Sequence, residues 1–150
     1  MRKPRPLLLD LFCGAGGAAR GYHDAGFDVV GVDIAAQPRF PYTFIRVDAL
    51  QFLRDLLRDN APYSLTDFAA IHASPPCQLY TVANNIHGRT DHPDLVGPVR
   101  RLLRRTRLPY VIENVPRAPL LSPALVCGLS LGCGVKRHRL FESSIQLQST

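Results

Sequence analysis

Short apolar runs mark the first half of the chain. They cover residues 7–12, 27–33, 44–47 and 68–73, and each ends within two residues of a glycine, aspartate or proline. Runs of this length with such boundaries are typical of buried strands. Leucines at helical spacing follow the third run, so a helix is predicted before the fourth. These leucines are Leu50, Leu53 and Leu57. The alternation predicts an α/β fold with a doubly wound, mostly parallel sheet.

The alternation continues in the second half. An apolar helical face is formed by Leu95, Val99, Leu102 and Leu103. Residues 110–114 form the next predicted strand, and a last strand is expected at 140–143. Residues 116–134 are rich in proline, leucine and glycine with little period, so irregular chain is expected there. Because repeats and interdomain linkers are not found, residues 1–150 are predicted to form one domain.

The opposite face of the second predicted helix is basic. It carries Arg100, Arg101, Arg104, Arg105 and Arg107. A solvated outer face is the simplest interpretation, because no aromatic residues interleave the arginines. A phosphate-binding stripe is the second interpretation. The net charge of +6, with 18 Lys and Arg, favours an anionic partner, and nucleic acid is the first choice.

Composition limits the class of protein. With 46% apolar and 20% charged residues, the sequence is that of an ordinary globular domain. The apolar start at residues 7–9 is interrupted by Asp10, so neither a signal peptide nor a membrane span is expected. The cysteines show no CxxC spacing, which indicates reduced thiols of a cytoplasmic protein. They are Cys13, Cys77, Cys127 and Cys133, of which the last two are expected to be core or partly exposed.

A glycine-rich turn follows the first predicted strand. It comprises Cys13, Gly14, Ala15, Gly16 and Gly17. Glycines let the backbone approach a ligand, and the following helix offers its unpaired N–H groups to a polar group. The spacing departs from GxGxxG, so a dinucleotide is not predicted. A tight connection between strand and helix, without a ligand, is the alternative interpretation.

Acids end the next two predicted strands. Asp33 stands about twenty residues after the glycine turn, where such sheets hold a ribose, so it is a candidate for ribose hydroxyls. Asp48 comes directly before the helix that carries Leu50 and Leu53. It is interpreted equally well as a helix N-cap and as a ligand contact, and it can serve as both.

Cys77 lies just past the predicted strand 68–73. Pro75 and Pro76 stop that strand, because proline donates no ladder hydrogen bond. Ligands in open α/β sheets bind at this carboxyl edge, so the thiol is placed for chemistry, although a small buried side chain is the alternative. If strand 110–114 is a parallel neighbour, Cys77 and Glu113 face the same small planar molecule.

Residues 79–97 are polar and aperiodic, which predicts a functional loop such as a lid. His87 and His92 lie in it, but no third residue stands at zinc-site spacing. No metal site is therefore predicted. A basic stretch, 135–139, precedes the last expected strand.

With these pieces in order, the sequence resembles the DNA cytosine-5 methyltransferases, in particular the short forms found in phage genomes. Residues 10–17 resemble the S-adenosyl-L-methionine loop of that family, residues 75–78 its nucleophile motif and residues 113–115 its acid motif. The resemblance implies a Rossmann-like methyltransferase fold. In departure from the family pattern, that fold is expected to be truncated at the C-terminus, with no separate target-recognition domain. It implies a cytoplasmic enzyme of a bacterial or phage-infected cell, with DNA as partner and a second chain as a source of target recognition.

The resemblance also implies roles for single residues. Cys77 is the nucleophile, Glu113 the catalytic acid, and Arg139 approaches the cytosine O2. Phe12 stacks on the adenine of the cofactor, and Asp33 binds its ribose. The implied cofactor-binding residues are Asp10, Phe12, Cys13, Gly14, Ala15, Gly16, Gly17, Asp33, Ile34, Asp48, Ala49 and Pro75.

Two departures from the family pattern bear on function. Val135 replaces the leading glutamine of Gln-x-Arg-x-Arg, while Arg137 and Arg139 remain. The second departure is the missing target-recognition domain, which leaves only residues 79–97 and 116–139 to contact DNA bases. Weak DNA binding with little sequence preference is therefore expected. Two alternatives stay open. One is a nucleic-acid-binding or regulatory module without turnover, and the other is a methyltransferase that acts on RNA.

Overall fold

A seven-stranded sheet with strand order β3-β2-β1-β4-β5-β7-β6 organises the chain. The structure is a computed structural model that describes residues 4–77 and 93–150. The strands are β1 Leu7–Leu11, β2 Asp28–Asp33, β3 Thr43–Arg46, β4 Phe68–Ala73, β5 Tyr110–Asn114, β6 Ala124–Cys127 and β7 His138–Ser143. The helices are α1 Gly17–Asp24, α2 Ala49–Leu56 and α3 Val96–Thr106, with a short 3-10 turn at Leu65–Asp67.

Helices cover both faces of this sheet, as the sequence predicts. Strands β1 to β5 pair in parallel, and β7 alone runs antiparallel to both of its neighbours. On one face, Leu8 and Val29 pack against Ala19 of α1. On the other face, helices α2 and α3 cover a larger core. The predicted doubly wound, mostly parallel sheet is therefore confirmed.

The larger core explains why α2 and α3 form where they do. Their apolar residues recur at helical spacing, and Leu53, Leu56 and Leu103 are fully buried. They pack against Ile71 of β4 and Ile112 of β5. Each such side chain contributes about 1.5–3 kcal/mol when it leaves water. This face therefore fixes β4 and β5 side by side.

The expectation of irregular chain over residues 116–134 is wrong in part, because β6 lies within it. This strand pairs only with β7, where Leu125 faces Leu140 in an antiparallel register. It has only four residues and its Leu125 is exposed, so no alternating pattern shows in the sequence. The partner strand supplies the order that local sequence does not reveal.

The basic face of α3 departs from its prediction at one position. Arg101, Arg104 and Arg105 are exposed, as a solvated face requires. Arg100 instead forms a two-point ion pair with Glu142 of β7, with Nε and Nη2 at 2.7 and 2.6 Å from the two carboxylate oxygens. Its side chain is 13% exposed and that of Glu142 is 4% exposed. The pair fastens β7 to the helix layer.

An aromatic ring takes the place of a helix between β2 and β3. Parallel strands are usually joined by a dozen or more residues that include a helix, whereas only residues 34–42 join these two. The ring of Phe40 lies on the sheet over Gly31. A Cβ atom at Gly31 would come within 2.3 Å of the ring. Position 31 therefore admits only glycine while Phe40 occupies this place.

Candidate active site

The ends of β1, β4 and β5 meet at one edge of the sheet. Leu11 at the end of β1 pairs with Ala73 of β4, and Ala73 pairs in turn with Ile112 of β5. The glycine turn, the segment 74–77 and Glu113 follow these positions directly. Strands β4 and β5 are therefore parallel neighbours, which is the condition for Cys77 and Glu113 to face the same molecule.

A cavity of about 420 Å³ opens at this edge. It brings together seven of the predicted site residues, which come from five different segments of the chain. They are Phe12, Asp33, Ile34, Pro75, Cys77, Glu113 and Arg139. Cys77 and Glu113, the two groups expected to face one planar molecule, thus line the same space.

The glycine turn is tied to the end of β2. The Gly14 N–H donates to Asp33 Oδ2 at 3.0 Å, and Asp33 Oδ1 accepts from the Ala35 N–H at 2.9 Å. Phe12, Gly14 and Gly16 all have positive φ values, of 59°, 50° and 94°. Phenylalanine rarely adopts this conformation, which is held at functional sites when the surrounding structure fixes it.

Asp10 lies at the centre of the sheet beneath this turn. Its side chain is fully buried, and neither carboxyl oxygen has a hydrogen-bond partner among the described residues. Burial raises the pKa of Asp10 to about 7. Two weaker effects act in opposite directions. The nearby Ala19 N–H, which does not meet the geometry of a hydrogen bond, lowers the pKa of Asp10, and the negative charge of Asp33 raises it. An unpartnered buried carboxyl is costly, so Asp10 is a candidate for binding a cation.

Asp48 is the N-cap of α2. Its Oδ1 accepts a hydrogen bond from the Gln51 N–H at 2.8 Å. Of its two predicted roles, the cap is therefore confirmed, and the ligand contact stays a prediction. The residues of the predicted cofactor set that do not line the 420 Å³ cavity are Asp10, Cys13, Gly14, Ala15, Gly16, Gly17, Asp48 and Ala49.

Glu113 and Arg139 form an ion pair inside the cavity. Arg139 Nε lies 2.8 Å from Glu113 Oε1, and the side chains are 27% and 22% exposed. Strand β7 makes this possible because it runs antiparallel to β5, with Phe141 opposite Glu113. A carboxyl group and a guanidinium are thus held together at the wall of the site.

Asn114 is a site residue to which sequence reasoning gave no role. Its side chain is 1% exposed, and Nδ2 donates to the Pro75 carbonyl oxygen at 3.0 Å. Its Oδ1 accepts from the Val115 N–H at 2.8 Å. The sequence feature that could have pointed to this role is an amide side chain directly after Glu113, at the end of a predicted strand. Asn114 fastens the segment that carries Cys77 to β5.

A buried hydrogen-bonded chain of three side chains was also missed. Tyr22 Oη lies 3.0 Å from His72 Nδ1, and His72 Nε2 lies 2.7 Å from Ser74 Oγ. Burial lowers the pKa of His72 to about 4, so its ring is neutral at neutral pH. The sequence feature that could have pointed to this chain is a histidine in an otherwise apolar strand.

A second cavity, of about 590 Å³, lies beside this chain. Tyr22, His72 and Ser74 line it, together with Glu113 and Arg139. Ser74 and the Glu113 and Arg139 pair therefore face both cavities. The two cavities share one wall at the carboxyl edge of the sheet.

The four thiols differ in their surroundings. Cys13 is 7% exposed, and burial raises its pKa to about 12, with the charges of Asp10 and Asp33 adding to the rise. Cys77 is half-buried and lines the smaller cavity. Cys127 is half-buried, as expected, whereas Cys133 is exposed, beyond the expected core or partly exposed position. A thiol with a pKa near 12 is not a nucleophile at neutral pH, so Cys13 is unsuited to that role.

Part of the predicted site falls outside the described residues. Gln78, most of the predicted lid 79–97 and both of its histidines lie there. Within residues 4–77 and 93–150, no group of three metal-ligating side chains could hold a metal ion. No helix in the same ranges is long and apolar enough to cross a membrane.

Known structures share this fold. A hypothetical protein of Thermus thermophilus has a TM-score of 0.55 and 15% identity over 97% of this chain and 76% of that chain. The S. pombe Dnmt2 methyltransferase has a TM-score of 0.52 and 15% identity over 93% of this chain. A SAM-dependent methyltransferase of Agrobacterium tumefaciens has a TM-score of 0.45 and 21% identity over 76% of this chain.

This chain spans 49% of the Dnmt2 structure and 40% of the Agrobacterium protein, less than two thirds of each. At these identities the likeness to the Thermus and Dnmt2 structures is one of fold alone, and the fold is Rossmann-like. No curated protein matches the sequence. The family model for C-5 cytosine-specific DNA methylases matches residues 7–121, which hold the glycine turn, Cys77 and Glu113. The chain therefore belongs to the C-5 cytosine-specific DNA methylase family.

Proposed function

We propose that this chain transfers a methyl group from S-adenosyl-L-methionine to C5 of cytosine in DNA, through a covalent bond between Cys77 and cytosine C6. One observation carries the proposal. Cys77, Glu113 and Arg139 line a single cavity that Phe12 and Asp33 line as well. A nucleophile, an acid and a cation thus share one space with an aromatic ring and a carboxylate suited to a nucleoside.

S-adenosyl-L-methionine is the cofactor of this family. The residues present fit it. Asp10 offers a buried carboxyl without a hydrogen-bond partner, which suits the ammonium of the methionine part. Asp33 suits the ribose hydroxyls, and the ring of Phe12 suits the adenine. When bound, the cofactor supplies an electrophilic methyl group on a sulfonium.

The reaction begins at Cys77. Its thiolate adds to cytosine C6, and the electron pair of the C5–C6 double bond makes C5 nucleophilic. C5 then takes the methyl group, and the electron pair of the broken S–CH3 bond stays on the sulfur of the leaving product. Loss of the C5 proton to a base restores the double bond, and Cys77 leaves as thiolate. Cys77 is thereby regenerated for the next turnover.

Glu113 and Arg139 stabilise the ring while Cys77 is attached. In this proposal Glu113 hydrogen-bonds the N3 and N4 edge of cytosine, and Arg139 contacts O2, where negative charge develops. Fixed charges that need not reorient contribute most in such partly buried sites. The 2.8 Å contact between Glu113 and Arg139 supports this assignment, since it orients both groups before substrate binds.

DNA must deform to reach this cavity. C6 of cytosine is inaccessible within a duplex, so the target base has to be flipped out of the stack. In this proposal the flipped base enters at the carboxyl edge of the sheet, where Ser74, Glu113 and Arg139 line both neighbouring cavities.

The test is covalent trapping. Fluorine at C5 cannot be removed as a proton would be, so 5-fluorocytosine arrests the reaction with Cys77 attached. The purified chain is mixed with S-adenosylmethionine and a random-sequence duplex that contains 5-fluorocytosine, and a denaturing gel reports the adduct. We expect an adduct with the wild type and with Cys133→Ala, and none with Cys77→Ala.

Two further arms make the test decisive. Glu113→Gln keeps the shape of the side chain and should slow trapping by about a hundredfold, because a charged group is lost from the reacting centre. The same experiment with fluorinated RNA identifies an RNA substrate. An adduct that survives Cys77→Ala, or a wild type that binds the cofactor and traps neither nucleic acid, would contradict the proposal.

A further inference from the structure

The connection between β6 and β7 exposes an unusual amount of apolar surface. We call residues 128–137 the β6–β7 loop. Leu129, Leu131 and Val135 in it are 53%, 57% and 54% exposed. Single exposed apolar residues are ordinary, but three within seven positions form a patch, and such patches mark contact surfaces.

The backbone of this loop is closed on itself. The Gly128 N–H donates to the Arg137 carbonyl at 2.9 Å, and the Cys133 N–H donates to the Gly128 carbonyl at 2.9 Å. A Cβ at residue 128 would come within 2.6 Å of the Val135 carbonyl oxygen, so only glycine allows this closure. The loop is therefore built in one shape, and that shape turns its apolar side chains outward.

The charge around the patch has one sign. The sequence contains no Asp or Glu from residue 114 to residue 141, whereas Lys136 and Arg137 lie in the loop itself. Both are exposed, and neither forms a salt bridge within the described ranges. An apolar patch bordered by unpaired cations complements a polyanion that also has apolar surface, and nucleic acid is such a partner.

The loop projects from the same edge as the active site. Strand β7 begins at His138, and Leu140 pairs with Asn114, the last residue of β5. The β6–β7 loop thus lies beyond the end of β5, and Arg137 at its end lines both cavities. A duplex whose base enters the active site would lie against this loop.

We propose that the β6–β7 loop is a DNA-contacting element of this enzyme. Lys136 and Arg137 bind backbone phosphates, while Leu129, Leu131 and Val135 contact the bases that unstack beside the flipped cytosine. Apolar wedges of this type lower the cost of unstacking in proteins that deform DNA. The inference rests on the proposed function, which it extends from the reacting base to its surroundings.

The test measures DNA binding without methyl transfer. Fluorescence anisotropy over a salt series gives the affinity for a short matched duplex and for the same duplex with one mismatch, whose bases are already partly unstacked. Lys136→Gln should reduce the slope of log K against log salt by about 0.9, because one phosphate contact is lost. Leu131→Ser should leave that slope unchanged and remove a preference of about tenfold for the mismatched duplex.

Two control variants make the same chemical changes elsewhere. Arg105→Gln removes an exposed cation from α3, and Ile145→Ser removes an apolar side chain that is 55% exposed. Neither should alter the slope or the preference. If the loop variants behave like these controls while the wild type still forms the Cys77 adduct, the inference is wrong and the proposed function stands.

Two other results would overturn the inference. If the wild type binds no duplex DNA, both the inference and the proposed DNA substrate fail. If sedimentation shows a dimer that Leu131→Ser converts to monomer, with DNA binding unaltered, the patch joins two copies of the chain and does not contact DNA.

Discussion

Asn114 holds the Pro75 carbonyl through a buried hydrogen bond of 3.0 Å. This contact joins the segment before Cys77 to the strand that carries Glu113, so one amide helps to fix the spacing of the two groups that we propose act on cytosine. The Pro75 ring is buried beside it, and the Asn114 side chain has no access to water. The distance between Cys77 and Glu113 thus depends on a residue that lines neither cavity.

Replacing Asn114 by aspartate should therefore uncouple these groups. The carboxylate cannot donate to the Pro75 carbonyl, and a buried acceptor left unpaired costs about 1–3 kcal/mol. We expect a loss of this size in the free energy of unfolding, measured with urea, and adduct formation with 5-fluorocytosine that is slower by about tenfold. Asn60→Asp, at an exposed position, is the matched control. Equal effects of the two changes would show that the contact is unimportant.

Asp10 should make the unliganded protein less stable as pH rises. Its pKa is raised from 3.8 to about 7 in the folded state, chiefly by burial. Between these values the folded chain holds a proton that the unfolded chain has released, so stability falls from about pH 4 to about pH 7 and then levels. The full loss in the free energy of unfolding is on the order of 4 kcal/mol. Asp10→Asn should remove this pH dependence, which urea titrations at pH 5 and pH 8 would detect.

The same substitution should weaken cofactor binding, because the amide cannot pair with an ammonium. A variant that is more stable at pH 8 yet binds S-adenosylmethionine about tenfold less tightly would match the proposed role. Calorimetry measures the second quantity. If binding is unchanged, Asp10 is a structural residue only.

His72 should act in the opposite sense. Burial lowers its pKa from 6.5 to about 4, so the folded chain lacks a proton that the unfolded chain carries between these values. Stability from His72 therefore rises with pH over this window, while that from Asp10 falls. The two should partly cancel in the wild type. In Asp10→Asn the rise between about pH 4 and pH 6.5 should emerge, and a flat profile in that variant would contradict the assignment.

Replacing only Arg100 of the Arg100–Glu142 ion pair should lower the stability of the protein more than replacing both residues. Burial alone would raise the pKa of Glu142, but hydrogen bonds from Arg100 and the Leu121 amide outweigh burial and lower it. Arg100→Met leaves this buried carboxylate without its cationic partner, and we expect the free energy of unfolding to fall by about 3 kcal/mol. Adding Glu142→Gln should recover part of the loss in thermal unfolding. Arg101→Met, on the exposed face, should change little, and a similar loss there would point to a general effect of charge.

Thiol chemistry should separate the cysteines. The pKa of Cys13 lies near 12 because of burial, whereas backbone hydrogen bonds from Leu129 and Ser130 lower the pKa of Cys127. Brief alkylation at pH 8 followed by peptide mass spectrometry should modify Cys127 and leave Cys13 unmodified until the protein is denatured. Early modification of Cys13 would mean that the glycine turn opens in solution.

Much of the sheet could be predicted because its strands carry their own signal. Strands β1 and β2 are apolar runs buried on both faces, and β4 and β5 are mostly apolar runs, so local sequence reveals all four without any partner. Strand β6 could not be predicted, since its order comes from pairing with β7. The role of Asn114 and the bond between His72 and Ser74 were missed for a related reason. They depend on which neighbours the fold supplies, and no spacing in the sequence encodes that.

The contact between Phe40 and Gly31 also links two positions in evolution. A related chain with a helix between β2 and β3 would not need a ring lying on the sheet, so its residue 31 would be free to take any small side chain. A chain that keeps the short connection must retain both members of the pair, or change both at once. An alignment of short and long members should therefore show the aromatic residue and the glycine appearing and disappearing together, in step with the length of the connection.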